Sequence, residues 1–157
     1  MNTLIIYDSQ FGNTERLALL IADALSAYGP VRAVHIGQRE PVELKEVDLL
    51  IVGSPTQKWG PTSAMRSFLE SIPRESLREL TVAVFDTRYQ QPRWMVGSAA
   101  YRMTRLLAMQ GRTLLVPPEC FFVKGMQGPL EEGELERAAD WARLLGEKAK
   151  IPQDVTG

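Results

Sequence analysis

The stretch Thr3-Leu4-Ile5-Ile6-Tyr7-Asp8-Ser9-Gln10-Phe11-Gly12-Asn13-Thr14 decides the fold. It opens on five residues, Thr3 to Tyr7, that read as a strand without polar alternation, the pattern of a strand buried on both faces. It closes on hydroxyl and amide side chains around a glycine. A helical pattern follows at once, with Leu17, Leu20, Ile21, Ala24 and Leu25 on one face and Tyr28-Gly29-Pro30 as its stop. Buried strand, turn and amphipathic helix, in that order, are the first half of a βαβ unit.

The alternation repeats along the chain. Val31 to Ile36, Leu49 to Gly53, Thr81 to Phe85 and Thr113 to Val116 are further short apolar runs, and helical spacing predicts helices over Thr62 to Ile72, Ser98 to Gln110 and Leu135 to Leu145. The class is α/β: a doubly wound, five-stranded parallel sheet with right-handed crossovers and helices on both faces. The connection from Gln38 to Val47 carries Pro41 and is expected to hold about one helical turn. Pro117-Pro118-Glu119 interrupts the fifth apolar line, which resumes at Cys120-Phe121-Phe122-Val123, so strand five is expected to break at the prolines and restart. Residues 1–150 read as one domain and 151–157 as a short frayed tail.

Composition narrows the function. The chain has 157 residues, net charge -1, 45% hydrophobic and 24% charged residues. That suits one globular domain and gives no overall field to hold nucleic acid or an anionic membrane, so neither is an expected partner. One cysteine, Cys120, and one histidine, His35, make neither a disulfide nor a histidine-based metal set. The chain reads as reduced and cytoplasmic, with no signal peptide and no apolar run of about 18 residues. His35, Cys120 and the methionines Met65, Met95, Met103 and Met109 read as packing residues. The charge is uneven, however: residues 50–112 hold nine basic and four acidic residues, the remainder nine basic and fifteen acidic.

Ligands of an open parallel sheet bind beyond the carboxyl ends of its strands. After strand one, Ser9, Asn13 and Thr14 surround Gly12 at a helix start, where backbone N–H groups are free. A simple helix cap needs one such side chain; this set makes a nest for a phosphate. No Gly-Lys-Ser/Thr or Gly-x-Gly-x-x-Gly follows, which argues against nucleoside triphosphates and NAD, and Gly53-Ser54 stands where a phosphoacceptor domain needs a carboxylate. After strand three comes Ser54-Pro55-Thr56-Gln57-Lys58-Trp59-Gly60-Pro61-Thr62, and after strand four Asp86-Thr87-Arg88-Tyr89-Gln90-Gln91-Pro92-Arg93-Trp94. Aromatic rings in both loops above a phosphate nest suit a large flat ligand.

In these residues the chain resembles the flavodoxin family of FMN-binding proteins. Ser9, Gly12 and Thr14 match its Ser/Thr-x-x-Gly-x-Thr phosphate loop, Val52 to Thr56 its second cofactor loop and Phe85 to Arg88 its third; Phe121-Phe122-Val123, Gly128-Pro129-Leu130 and Gly133 to Glu136 match the closing pattern. The resemblance implies strand order 2-1-3-4-5 and FMN as cofactor. It implies that Ser9, Gln10, Phe11, Gly12, Asn13 and Thr14 hold the phosphate and that Ser54, Pro55 and Thr56 pass near the ribityl chain and ring. Trp59 and Tyr89 are then the candidates to flank the isoalloxazine, while Asp86, Thr87 and Arg88 offer backbone groups to its pyrimidine edge, Asp86 also forming the turn. Gly60 is expected to turn its carbonyl toward flavin N5 when N5 gains a proton. Gln57 and Lys58 lengthen the join before Trp59, and the near-neutral charge differs from the acidic carriers of the family.

The leading expectation is a one-electron carrier, monomeric or weakly dimeric, that serves redox protein partners. Lys58, Arg88 and Arg93 in the loops point to acidic partners, met by steering that salt weakens. The alternative is an NAD(P)H-dependent FMN or quinone reductase of the same fold. A third reading, a module without flavin, sits poorly with the intact phosphate loop.

Overall fold

The computed structural model describes residues 1–38 and 41–150. β1 (Thr3–Tyr7) is buried at every position. It lies between β2 (Val31–His35) and β3 (Leu49–Pro55), with β4 (Thr81–Tyr89) and β5 (Glu119–Val123) beyond, in the order β2-β1-β3-β4-β5. Every neighbouring pair is parallel, as both the apolar runs and the resemblance imply. The winding reverses at β1, which leaves a crevice at the carboxyl ends of β1 and β3.

Period-two alternation sends the side chains of β1 into two cores. Ile5 and Tyr7 pack with buried residues of α1 (Asn13–Leu25) and α6 (Glu134–Lys150), whereas Leu4 and Ile6 pack with α2 (Ser63–Ser71) and α5 (Ala99–Met109). Each fully buried Leu or Ile contributes about 1.5–3 kcal/mol relative to exposure. Phe85, Phe121 and Trp141 meet edge to face, with centroids 5.9–6.1 Å apart, between β4, β5 and α6. Thr62 and Ser98 cap α2 and α5, each accepting from the backbone N–H three residues on.

Several boundaries differ from those expected. Thr113 to Val116 forms no strand: Leu115 N–H makes one bond to Val82 O, 2.9 Å. β5 begins only after Pro117 and Pro118, because two consecutive residues without N–H cannot carry a ladder. β3 and β4 run longer than their apolar runs, since Ser54-Pro55 pair with Asp86-Thr87 and Asp86 to Tyr89 pair with Cys120 to Val123. Helix α6 continues through Gly146 to Lys150. That glycine marks a close approach instead of a stop, since a Cβ there would lie 2.6 Å from the Tyr28 ring. The described part of Gln38 to Val47 holds turns and no helical turn, and Arg39 and Glu40 lie outside the described residues, as does the tail 151–157. Two short helices, α3 (Arg74–Arg78) and α4 (Arg93–Val96), were not anticipated. Among the described residues no helix is long and apolar enough to cross a membrane.

Candidate functional site

The turn after β1 builds an anion nest from very few groups. Gly12 takes φ 91° at the N-cap of α1, a left-handed conformation that glycine adopts without a Cβ penalty, and it offers no side chain to cap the helix. Ser9 Oγ accepts from Gly12 N–H (3.2 Å) and Glu15 N–H (3.3 Å). The N–H groups of Asn13 and Thr14 are left without a partner among the described residues, at the positive end of the helix. Beside them Gly128 abuts the Asn13 amide so closely that a Cβ would fall 2.6 Å from its Oδ1.

Asp8, which the sequence did not single out, keeps its carboxylate occupied with its own neighbours. It accepts from Ser9 N–H (2.8 Å) and from Thr62 Oγ1 (2.6 Å), and it faces His35 Nε2 at 3.5 Å. It therefore ties the end of β1 to the start of α2. The signal in the sequence was faint: one carboxylate between a strand and a Ser.

Around this nest opens a cavity of about 940 Å³ at the carboxyl ends of β1, β3 and β4. It runs from buried Thr14 and Thr87, whose hydroxyls lie 3.0 Å apart, to exposed Phe11, Trp59, Met95 and Met126. Twelve of the fifteen residues expected at the site line it: Ser9, Gln10, Phe11, Asn13, Thr14, Pro55, Thr56, Trp59, Gly60, Thr87, Arg88 and Tyr89. The lining carries Lys58, Arg66 and Arg88 and no carboxylate, so its fixed charge favours an anion. Among the described residues no group of histidines, cysteines or carboxylates could hold a metal.

Three expected residues stand outside the lining. Gly12 shapes the turn. Ser54 is buried, its Oγ accepting from Thr62 N–H (3.1 Å) and donating to Pro55 O (2.9 Å). Asp86 is no turn former: it is a fully buried residue of β4, and the turn comes only after Tyr89. Its Oδ2 accepts from Ser98 Oγ, from Ala100 N–H (3.0 Å) and from Thr56 Oγ1 (3.4 Å), while Oδ1 has no partner among the described residues. Burial raises its pKa, against the lowering effect of the Ser98 and Ala100 bonds. Cys120, with Sγ 3.5 Å from Ser98 Oγ, is pushed up chiefly by burial and also by the Asp86 charge.

The loop after β3 closes through a tight antiparallel turn. Gln57 and Gly60 exchange both backbone bonds, 2.7 and 3.0 Å, around Lys58 (φ 47°) and Trp59 (φ 69°). Two-residue turns of this hand are usually Asn-Gly; with Lys and Trp each left-handed residue costs roughly 1–2 kcal/mol. Within this turn the Gly60 carbonyl accepts from Gln57 N–H. Trp59 Nε1 donates to Met95 O at 3.0 Å, which pins the indole against the loop after β4. Arg88 holds that same loop, donating to Tyr89 O (3.3 Å) and Gln91 O (2.8 Å) over the Phe122 ring.

The lining also includes residues that sequence reasoning missed, among them Arg66 and Ser67 of α2 and Met126 after β5. Nothing local marks them, because they reach the cavity only through the packing of α2 and the loop after β5 around it. The residues present fit FMN: unpartnered N–H groups, the Thr14 hydroxyl and a carboxylate-free lining for the phosphate, the hydroxyls of Thr56 and Thr87 for a polyol, and Trp59 and Tyr89 for a flat ring.

A family model described as Flavodoxin matches residues 5–141. Among solved structures, oxidised Flavodoxin 2 from Bacillus cereus is 26% identical with TM-score 0.75, covering 94% of this chain and 99% of that one. A flavodoxin from the domain Archaea is 20% identical with TM-score 0.76, covering 96% and 99%. The rubredoxin oxygen:oxidoreductase of Desulfovibrio gigas shares the fold at 18% identity and TM-score 0.73, covering 95% of this chain but 36% of that larger one. No curated protein sequence matches the chain.

Proposed function

The chain belongs to the flavodoxin family, and from that premise we propose that it binds one FMN in the 940 Å³ cavity and carries single electrons between redox proteins. The bound flavin supplies the redox chemistry, accepting or giving one electron at a time. The protein's part is binding, orientation and electrostatics. Asn13 and Thr14 N–H, with the Thr14 hydroxyl, hold the phosphate; Thr56 and Thr87 face the ribityl chain; Trp59 and Tyr89 flank the ring.

One observation carries this reading. The cavity joins an anion nest and two aromatic side chains in a lining with no carboxylate, histidine or cysteine to act as acid, base or nucleophile. An absorbance spectrum of the purified protein tests it. Flavin bands that NADPH alone does not bleach on a catalytic timescale support the carrier. Rapid bleaching by NADPH would assign the protein to the reductases, and a colourless protein that takes up no added FMN would overturn both.

A further inference from the structure

Three basic residues of the middle of the chain, Arg93, Arg102 and Arg105, lie together beside the main cavity. A shallow depression of about 460 Å³ lies across Trp59 from the main cavity, lined chiefly by Trp59, Arg93, Trp94, Tyr101, Arg102 and Arg105 and by no carboxylate. Arg93 stacks 3.7 Å above the Tyr101 ring, so its guanidinium is already ordered on an aromatic face. Neither it nor Arg102 nor Arg105 forms an ion pair among the described residues. Trp94 is 82% exposed and Trp59 55%, on a molecule whose other tryptophan is buried.

Trp59 is tied to Met95 O, but among the described residues no hydrogen bond or ion pair engages the side chains of Arg93, Trp94, Arg102 or Arg105. Tryptophan, tyrosine and arginine are the residues that dominate the energetics of protein interfaces, and lysine and carboxylates are depleted there. The depression is too open to enclose most of a small ligand, as small-molecule sites do, whereas a projecting edge of another protein can lie over it. Three guanidinium groups without counter-ions define the charge of that edge. We propose that this face docks an acidic one-electron redox protein, whose carboxylates meet Arg93, Arg102 and Arg105 while Trp94 is the apolar anchor.

The proposal rests on the FMN reading for its electron step. Trp59 walls both depressions, so a protein seated here lies against the mouth of the flavin cavity. Transfer is one electron from the reduced flavin to the oxidised metal centre of the partner, or the reverse, with no bond made. Ordering Arg93 beforehand lowers the conformational cost of docking, and opposite charge speeds the encounter.

The test uses the FMN-loaded protein, reduced with dithionite, and two acceptors of opposite charge: an acidic plastocyanin and a basic cytochrome c. Stopped-flow oxidation is followed from about 20 mM to about 500 mM salt. The acidic acceptor should react about tenfold faster or more at the low-salt end than at the high end. The triple variant Arg93→Glu, Arg102→Glu, Arg105→Glu should lose that advantage and gain rate with cytochrome c, while Trp94→Ala should slow only the acidic acceptor. All four side chains are exposed, so the FMN spectrum and affinity of the variants should match the parent. Calorimetry of the oxidised acidic acceptor binding to the protein moves no electron and reads docking even if the flavin reading fails. The proposal is overturned if the triple variant binds and reacts like the parent. It is equally overturned if NADPH titration shows the arginines holding the dinucleotide while acceptor rates stay unchanged.

Discussion

Thr14 and Thr87 share one hydrogen bond at the buried end of the cavity, so one hydroxyl can donate to the other and leave a single proton for a ligand oxygen. Thr14→Val removes a donor to a charged acceptor, an interaction of about 1.5–3 kcal/mol, and FMN should dissociate roughly 10- to 100-fold more readily. Thr87→Val should show part of the same loss. The double variant should lose less than the sum, because the two act as a unit; calorimetric titration with FMN that gave strictly additive losses would separate them. Asp86 makes a different kind of prediction. Burial lifts its folded pKa above the ordinary 3.8, so the folded protein holds this proton more tightly than the unfolded chain does. That contribution to stability is complete below about 3.8 and is lost as pH rises through the raised folded value. Asp86→Asn cannot ionise, and its stability relative to the parent should therefore improve as pH climbs from about 4 toward neutrality. Urea melts across that range read the difference, and a gap that stayed constant with pH would mean that Asp86 does not titrate there.

At the scale of elements, Ser98 is the joint between α5 and the sheet. Its Oγ caps α5 by accepting from Tyr101 N–H and donates to the Asp86 carboxylate. Losing the cap costs about 1 kcal/mol, and leaving a buried carboxylate short of a donor about 1–3 kcal/mol more. Ser98→Ala should thus destabilise the protein by roughly 2–4 kcal/mol in urea, and a loss below about 0.5 kcal/mol would show that Asp86 finds another donor. This joint was invisible in the sequence, where Asp86 stood among turn residues. The apolar run of β4 ends at Phe85, so patterning placed the strand end there. Pairing with β3 and β5 carried the strand on to Tyr89, because tertiary hydrogen bonding overrides local preference. By contrast β1, α1 and the glycine turn between them were legible almost to the residue, since a buried strand, a left-handed glycine and an amphipathic helix each leave a local mark. Strand five misled for the same reason: Thr113 to Val116 is apolar enough, but the prolines decide where the ladder can start.

At the scale of the molecule, the crossover pattern made the doubly wound sheet legible. Where β3, β4 and their loops converge was harder, because Arg66, Met95 and Met126 meet in the cavity from three separate elements. The charge asymmetry followed from counting, but its placement did not. Lys58, Arg66 and Arg88 line the main cavity, while Arg93, Arg102 and Arg105 line the depression beside it. The cavity's basic lining and unpartnered N–H groups predict that affinity depends on the phosphate. Titration of the apoprotein by calorimetry with FMN and with riboflavin, each at low and high salt, tests this most directly. One FMN should bind per chain, riboflavin should bind at least about tenfold more weakly, and the FMN affinity should fall with salt while that for riboflavin barely moves. Equal affinities for the two flavins would contradict it.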